Sequence, residues 1–339
     1  MKNSFLLVCI LIVSSGCGVI LPEKNYISAE QLMFPTDKTY DHIGILNNQV
    51  IVFNEERGKV FYALENEPVF EEVPDKRKEF CPEDDFYKSL HYSDATILPD
   101  KRLGLIGDCE LNSPLMFAYD LNTGKMEKIV EETLPPAAHN YSWNPDMTKG
   151  VQDTYTDLTG TIFWIDSEKP SPMDIVLSDG TRSWSLADEF PRYQRGNQKG
   201  TAAFPVWSPG GKQIAFFATF DTIGGSGFSR LDSEYNIYIM DYETLNPVRV
   251  LEGIYRDFPI TLAWSPNGKY LSFTGKYGFP VRRYGLWILT LESKEVYFID
   301  EDVTKSVWRN DGKSIVGMKC FNDSCSKPEI WEYSLINLQ

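Results

Sequence analysis

Three histidines, four cysteines and a small basic and aromatic group are the side chains of this 339-residue chain whose types and spacing could do chemistry. His42, His91 and His139 are its only histidines and recur at intervals of 49 and 48 residues. A repeating architecture would bring three imidazoles to one mouth, where their ring nitrogens suit a divalent transition metal. The plainer alternative is three polar residues at strand starts. Phe228, Arg230, Arg282, Arg283 and Tyr284 combine planar guanidinium donors with aromatic surface, the composition that interfaces use for anchors; the alternative is scattered loop residues. Glu83-Asp84-Asp85 reads either as oxygen ligands for calcium or as solvated loop charge. There is no G-x-S-x-G elbow, Walker loop, Rossmann glycine fingerprint or H-E-x-x-H pair. The chemistries those motifs carry are accordingly the weaker readings, and no catalytic residue is assigned.

Charge and address narrow the field further. Forty-eight acidic against 33 basic side chains give a formal net charge of −15, which repels phosphate backbones and excludes nucleic acid as a partner. At the N-terminus, Lys2 precedes an apolar run of nine residues, 5–13, followed by Ser14, Ser15, Gly16 and Cys17. This order resembles the bacterial lipoprotein signal, with Ser14 standing where a leucine is usual. The resemblance implies that residues 1–16 are a signal peptide and that Cys17 carries lipid. Residues 17–36 are then a tether with a closing strand, and 37–339 the folded domain. Stable membrane attachment follows from two or more acyl chains without a spanning segment. Gly18 rather than aspartate after the cysteine implies outer-membrane delivery in a Gram-negative host. A plain signal peptide or an uncleaved anchor is the alternative, since apolar character extends over about 17 residues, just short of a span. With Cys9 and Cys17 set aside, Cys81, Cys109, Cys320 and Cys325 remain. An even count in an oxidising compartment reads as two disulfides, and four reduced thiols as the alternative.

The elements that would position these groups are repeats. Trp207-Ser-Pro-Gly-Gly-Lys212, Trp264-Ser-Pro-Asn-Gly-Lys269 and Trp308-Arg-Asn-Asp-Gly-Lys313 share one plan, with Trp143-Asn-Pro-Asp146 and Ile97-Leu-Pro-Asp100 as weaker copies. Each places an apolar strand end before a turn whose proline presets one corner and whose glycine or asparagine takes positive φ. Third strands are expected at 115–121, 161–166, 236–242, 286–291 and 329–334, rich in aromatic and β-branched residues. Ile237 to Met240 is apolar at every position, so both faces of that strand need cover. No long stretch outside the signal has helical periodicity. The fold class is all-β.

The S-P-[DNG]-G-K block flanked by strands resembles the repeat of TolB-like β-propellers, shared with the propeller domains of prolyl-oligopeptidase-type enzymes, over roughly residues 90–339. Five anchors and an N-terminal unit (41–47, 49–54, 59–64, 68–73) predict a six-bladed β-propeller of four-stranded antiparallel blades. The last repeat has almost no room for a fourth strand, and an open edge is a liability. A strand within 26–34 is therefore expected to close the ring.

The resemblance also implies that second-to-third-strand and blade-to-blade connections share one rim. Four long loops fall there, at 74–90, 183–201, 221–234 and 275–284, and loops of that length usually carry function or are disordered. Phe228, Arg230, Arg282, Arg283 and Tyr284 would lie on this rim, and so would the cysteines, which implies the pairs Cys81 with Cys109 and Cys320 with Cys325. The function so implied is a membrane-tethered, extracytoplasmic binding or scaffold propeller contacting another envelope protein or a glycan. Some propeller-fold pectin-degrading lyases use a metal site comparable to the His42, His91 and His139 set. A metal-dependent, lyase-like carbohydrate-active enzyme is accordingly the alternative, although the three histidines stand at unequal offsets from the repeat anchors.

Overall fold

A computed structural model of the chain describes residues 26–35, 39, 42–56, 59–76, 79–80, 92–110, 113–129, 139–155, 173–178, 183–185, 194–195, 198–199, 202–218, 234–255, 261–278, 281–321, 325 and 327–335. After β1 (Tyr26–Leu32), a four-stranded sheet forms from β2 (His42–Leu46), β3 (Gln49–Glu56), β4 (Lys59–Leu64) and the short β5 (Glu71–Glu72). A second contains β6 (Tyr92–Ile97), β7 (Leu103–Glu110), β8 (Ser113–Asp120) and β9 (Lys125–Lys128). The third contains β10 (His139–Trp143), β11 (Gly150–Tyr155), β12 (Met173–Ser178) and β13 (Ser183–Ser185), followed by a small hairpin of β14 (Gln194–Arg195) and β15 (Gln198–Lys199). An eight-stranded sheet begins with β16 (Ala202–Trp207), β17 (Gln213–Ala218), β18 (Glu234–Asp241) and β19 (Pro247–Tyr255). It continues through β20 (Leu262–Trp264), β21 (Tyr270–Tyr277), β22 (Arg283–Thr290) and β23 (Val296–Glu301), and a single residue pair, Tyr255 with Lys276, joins its two halves. The last sheet has β24 (Val303–Trp308), β25 (Ser314–Lys319) and β26 (Glu329–Leu335), and takes β1 as its fourth strand.

The expected closure is therefore present: β1 runs antiparallel to β26, from Tyr26 opposite Leu335 to Leu32 opposite Ile330. Three expectations for individual elements change. The third strand of the β10 sheet is Met173–Ser178, which pairs with all six residues of β11, rather than 161–166, which lies outside the described residues. Both segments are apolar enough for a strand, so composition did not separate them. The 68–73 strand is reduced to Glu71–Glu72, paired with Tyr62 and Phe61 at the sheet edge. The loop expected at 275–284 is shorter, because the ladder carries on to Tyr277 opposite Arg283.

The repeated turns have one hydrogen-bond plan. The fourth residue donates its N–H to the first carbonyl in Leu98–Lys101, Asn144–Met147, Ser208–Gly211, Ser265–Gly268 and Arg309–Gly312, over 2.8–3.0 Å. That fourth residue has positive φ in every copy: Lys101 at 70°, Met147 at 57°, Gly211 at 66°, Gly268 at 70° and Gly312 at 69°. The two weaker sequence copies are thus the two that place a side chain where glycine is favoured.

Packing explains the apolar strands. The two faces of β18 feed different cores: Tyr235 and Ile237 pack with Trp264, Phe273 and Trp287, while Tyr238 and Met240 pack with Val151, Trp207 and Phe216. In the β6 sheet, Leu105 and Phe117 face Ile51 and Phe53, whereas Ile106 and Met116 face Trp143. The anchor tryptophans also reach back to the preceding repeat. Trp264 Nε1 donates to the Val206 carbonyl at 3.1 Å, Trp308 Nε1 to Ser272 Oγ at 3.0 Å, and Trp143 Nε1 lies 3.0 Å from Met116 Sδ. Trp207 departs from this: its indole N–H has no partner among the described residues, and its backbone N–H donates to Ser142 Oγ at 3.2 Å.

The circuit closes where the last sheet meets the first, around Val50, Val52, Ala63, Val316, Met318 and Ile330. Arg309 crosses this seam, its Nη2 3.1 Å from Glu65 Oε2, with Glu332 and the Asn48 carbonyl as further acceptors. Burial opposes ionisation of Glu332, but the Arg309 guanidinium and the Ser314 hydroxyl outweigh it and hold the carboxyl below its ordinary range.

Turn geometry makes an opposite-signed pair of substitutions informative. No atom lies within 4 Å of a Cβ added at Gly268, so Gly268→Ala isolates the backbone cost and should destabilise by about 1 kcal/mol. Lys101→Gly should cost nothing and gain at most about 0.5 kcal/mol. Urea midpoints decide, and equal shifts for the two variants would contradict the shared turn.

Candidate interaction rim

Register places one run of residues along a single end of the sheets. Tyr255 pairs with Lys276, Lys276 with Tyr284, Tyr277 with Arg283, and Gly285 with Glu301. Asp302 then turns directly into the last sheet, where its carbonyl accepts the Cys320 N–H at 2.9 Å. The strand ends Tyr255, Arg283, Tyr284 and Cys320 are thus linked by backbone, with Arg282 and Val281 in the short connection between β21 and β22.

Cations lie over rings along this run. The Arg282 guanidinium carbon is 3.5 Å from the Tyr255 ring centroid, and that of Arg283 is 5.3 Å from the Phe298 centroid. Such contacts contribute roughly 0.5–1 kcal/mol at exposed sites. Further along, Lys319 Nζ is 2.9 Å from Asp300 Oδ2, which also accepts the Tyr333 hydroxyl at 2.8 Å. Large apolar side chains stand in solvent beside them, Val281 at 67% and Phe321 at 58% exposure. Cys320 and Cys325 lie within disulfide distance, with α-carbons 4.8 Å apart.

The remaining sequence candidates are distributed unevenly. Arg230, Phe228, Cys17, Cys81 and His91 lie outside the described residues, as does the 83–85 acidic run. The backbones of Cys109 and His139 are in β7 and β10, but their side chains are outside the described set. His42 opens β2, and its Nδ1 is 3.2 Å from Lys305 Nζ on β24. Burial first, and the Lys305 charge second, lower its pKa to about 3. An ammonium group at that nitrogen is a poor neighbour for a metal cation. Among the described residues no group of three or more His, Cys, Asp or Glu side chains is placed to hold a metal.

Sequence reasoning missed Tyr255 and Phe298, which are distant from the arginines in the chain and carry no local signal. It also missed a cleft of about 860 Å3 at the turn end of the eight-stranded sheet, lined by Asp241, Val248, Lys269, Tyr270, Glu295 and Tyr297 among others. Three turns drawn from both halves of that sheet make the cleft, so no sequence window contains it.

Sheets that share their walls in a closed circuit define the molecule as a β-propeller. No family model matches the chain, and no curated protein matches it. Solved structures do. TolB from Acinetobacter baumannii superposes with a TM-score of 0.53 at 14% identity, covering 86% of this chain and 65% of that one. The acylaminoacyl peptidase of Pyrococcus horikoshii gives 0.51 at 13% identity, covering 90% and 47%. Hydrazine synthase from Kuenenia stuttgartiensis gives 0.50 at 13% identity, covering 88% and 83%. The chain thus spans slightly less than two thirds of the TolB chain. Its fold is that of a TolB-like propeller.

Two measurements follow from the placed residues. The unfolded chain protonates His42 below about pH 6.5, and the folded one only near 3. The folded state binds fewer protons across that window, so stability falls as pH drops from about 6.5 toward 3. In His42→Gln the slope of urea midpoint against pH should flatten between about pH 6.5 and 5; an unchanged slope would remove the buried-neutral assignment. Peptide mapping without reductant should recover Cys320 and Cys325 linked to each other, a closure that contributes about 2 kcal/mol by the loop-entropy account. Free, alkylatable thiols at both positions would refute the link.

Proposed function

We propose that this chain is a membrane-tethered, extracytoplasmic binding propeller whose loop-rich rim contacts another protein or a glycan of the cell envelope. Its ring has six blades, the eight-stranded sheet counting as two. Cys17 is the lipidated tether, consistent with the apolar run and small residues before it. The observation that carries the reading is the ledge at Tyr255, Arg282 and Val281. A guanidinium seated on an aromatic ring and an exposed large apolar side chain sit together at one sheet end, the composition of an interface anchor. The cell-envelope setting is supported by the same N-terminal segment and by the TolB-like fold, and fold analogy alone leaves the partner open.

Site-specific photo-crosslinking in intact cells tests it. A photoreactive residue at Val281 or Phe321 should form discrete adducts, and one at Val248, on the turn side, should not. Cys17→Ala should move the protein from the membrane fraction to the soluble one. Adducts only from position 248, or membrane retention without Cys17, would overturn the corresponding half of the reading.

A further inference from the structure

We infer that Arg282 is a carboxylate receptor, and that the ligand is an acidic peptide segment of a partner protein. This rests on the rim being the binding face. Arg282 is exposed, and its contact among the described residues is the Tyr255 ring, 3.5 Å from the guanidinium carbon. None of the ion pairs or hydrogen bonds between described residues uses its N–H groups. Stacking occupies the flat face of a guanidinium and leaves its in-plane fork of donors pointing away, the arrangement that matches a carboxylate through two parallel bonds. The platform is held by backbone, because Tyr255 is the residue that joins the two halves of the eight-stranded sheet. Less rotamer entropy is then lost when the fork is engaged.

Charge supports the same ligand. Lys276 is paired with Tyr255 and Arg283 follows Arg282, so three cations gather at one sheet end of a chain whose net charge is −15. A nearby carboxylate on the rim, Asp300, is engaged by Lys319 and Tyr333. A peptide fits better than a sugar chain. Arg282 covers a face of Tyr255, and Phe298 has Arg283 on one side and Trp287 with its centroid 4.7 Å away on another. Open ring faces on which a pyranose would stack are thereby reduced. Val281 and Phe321 offer exposed apolar surface instead, suited to aliphatic side chains interspersed with acids.

Fluorescence anisotropy on the full mature chain tests the inference, with a labelled peptide of alternating Glu and Leu as probe and its Gln and Leu analogue as control. The Glu peptide should bind saturably and weaken with added salt, and the Gln peptide should not bind. Arg282→Ala should weaken binding about fivefold, the ceiling for one exposed ion pair, and Arg282→Lys should recover only part of it. Equal affinity of Arg282→Ala and the parent, equal binding of the Gln peptide, or displacement of the Glu peptide by a neutral or uronic oligosaccharide would each overturn the proposal. Adducts at Val281 in cells alongside an inert Arg282→Ala would leave the rim as binding face and remove only the carboxylate receptor. Loss of both would remove the two together.

Discussion

Strands such as β7, β17 and β18 bury apolar side chains on both faces of their sheets, and that is the constraint from which the architecture follows. Phe216 and Phe217 are adjacent on one strand, both fully buried, and they belong to different cores. A strand with that composition has no solvent side, so its sheet is stable only between two others. Sandwiching repeated around a circuit then demands that the first and last sheets also cover each other. The chain brings its two ends together in that last sheet, where β1, the first strand of the described residues, pairs along β26.

The joints are not all alike. Between neighbouring repeats, indoles reach back to a carbonyl, a hydroxyl or a sulfur, satisfying a donor that would be costly to leave alone in an apolar wall. The first-to-last joint adds charge: Arg309 spans Glu332 and Glu65, and Lys305 meets the neutral His42. Removing one member of such a partly buried pair costs more than the pair contributes, because the survivor is stranded. The joint between the chain's two ends is therefore sensitive to acid, since the Glu332 carboxylate and the neutral His42 both favour the folded state only while they remain unprotonated.

What could be read in the sequence was what depends on neighbours in the chain. The turn after each anchor is set by four residues, so its proline, asparagine and glycine announce it, and even the copies with Lys101 and Met147 keep the geometry. Closure by an N-terminal strand was legible because the last repeat visibly lacks one. The anchor tryptophans were legible as strand ends, but their hydrogen bonds were not, because each partner is in another repeat. For the same reason Arg282 and Arg283 could be singled out while the rings beneath them could not. The third strand of the β10 sheet was misplaced because two apolar segments compete after β11, and only pairing with β11 selects Met173–Ser178.

The pairing of Tyr255 with Lys276 makes two neighbouring walls continuous in backbone at one corner, where elsewhere side-chain packing and the Trp264 indole hold them together. That corner ties β19 of one half to β21 of the other, so neither hairpin ends there in a separate edge. A pull at that corner is thus shared by two walls through the one residue pair that links them.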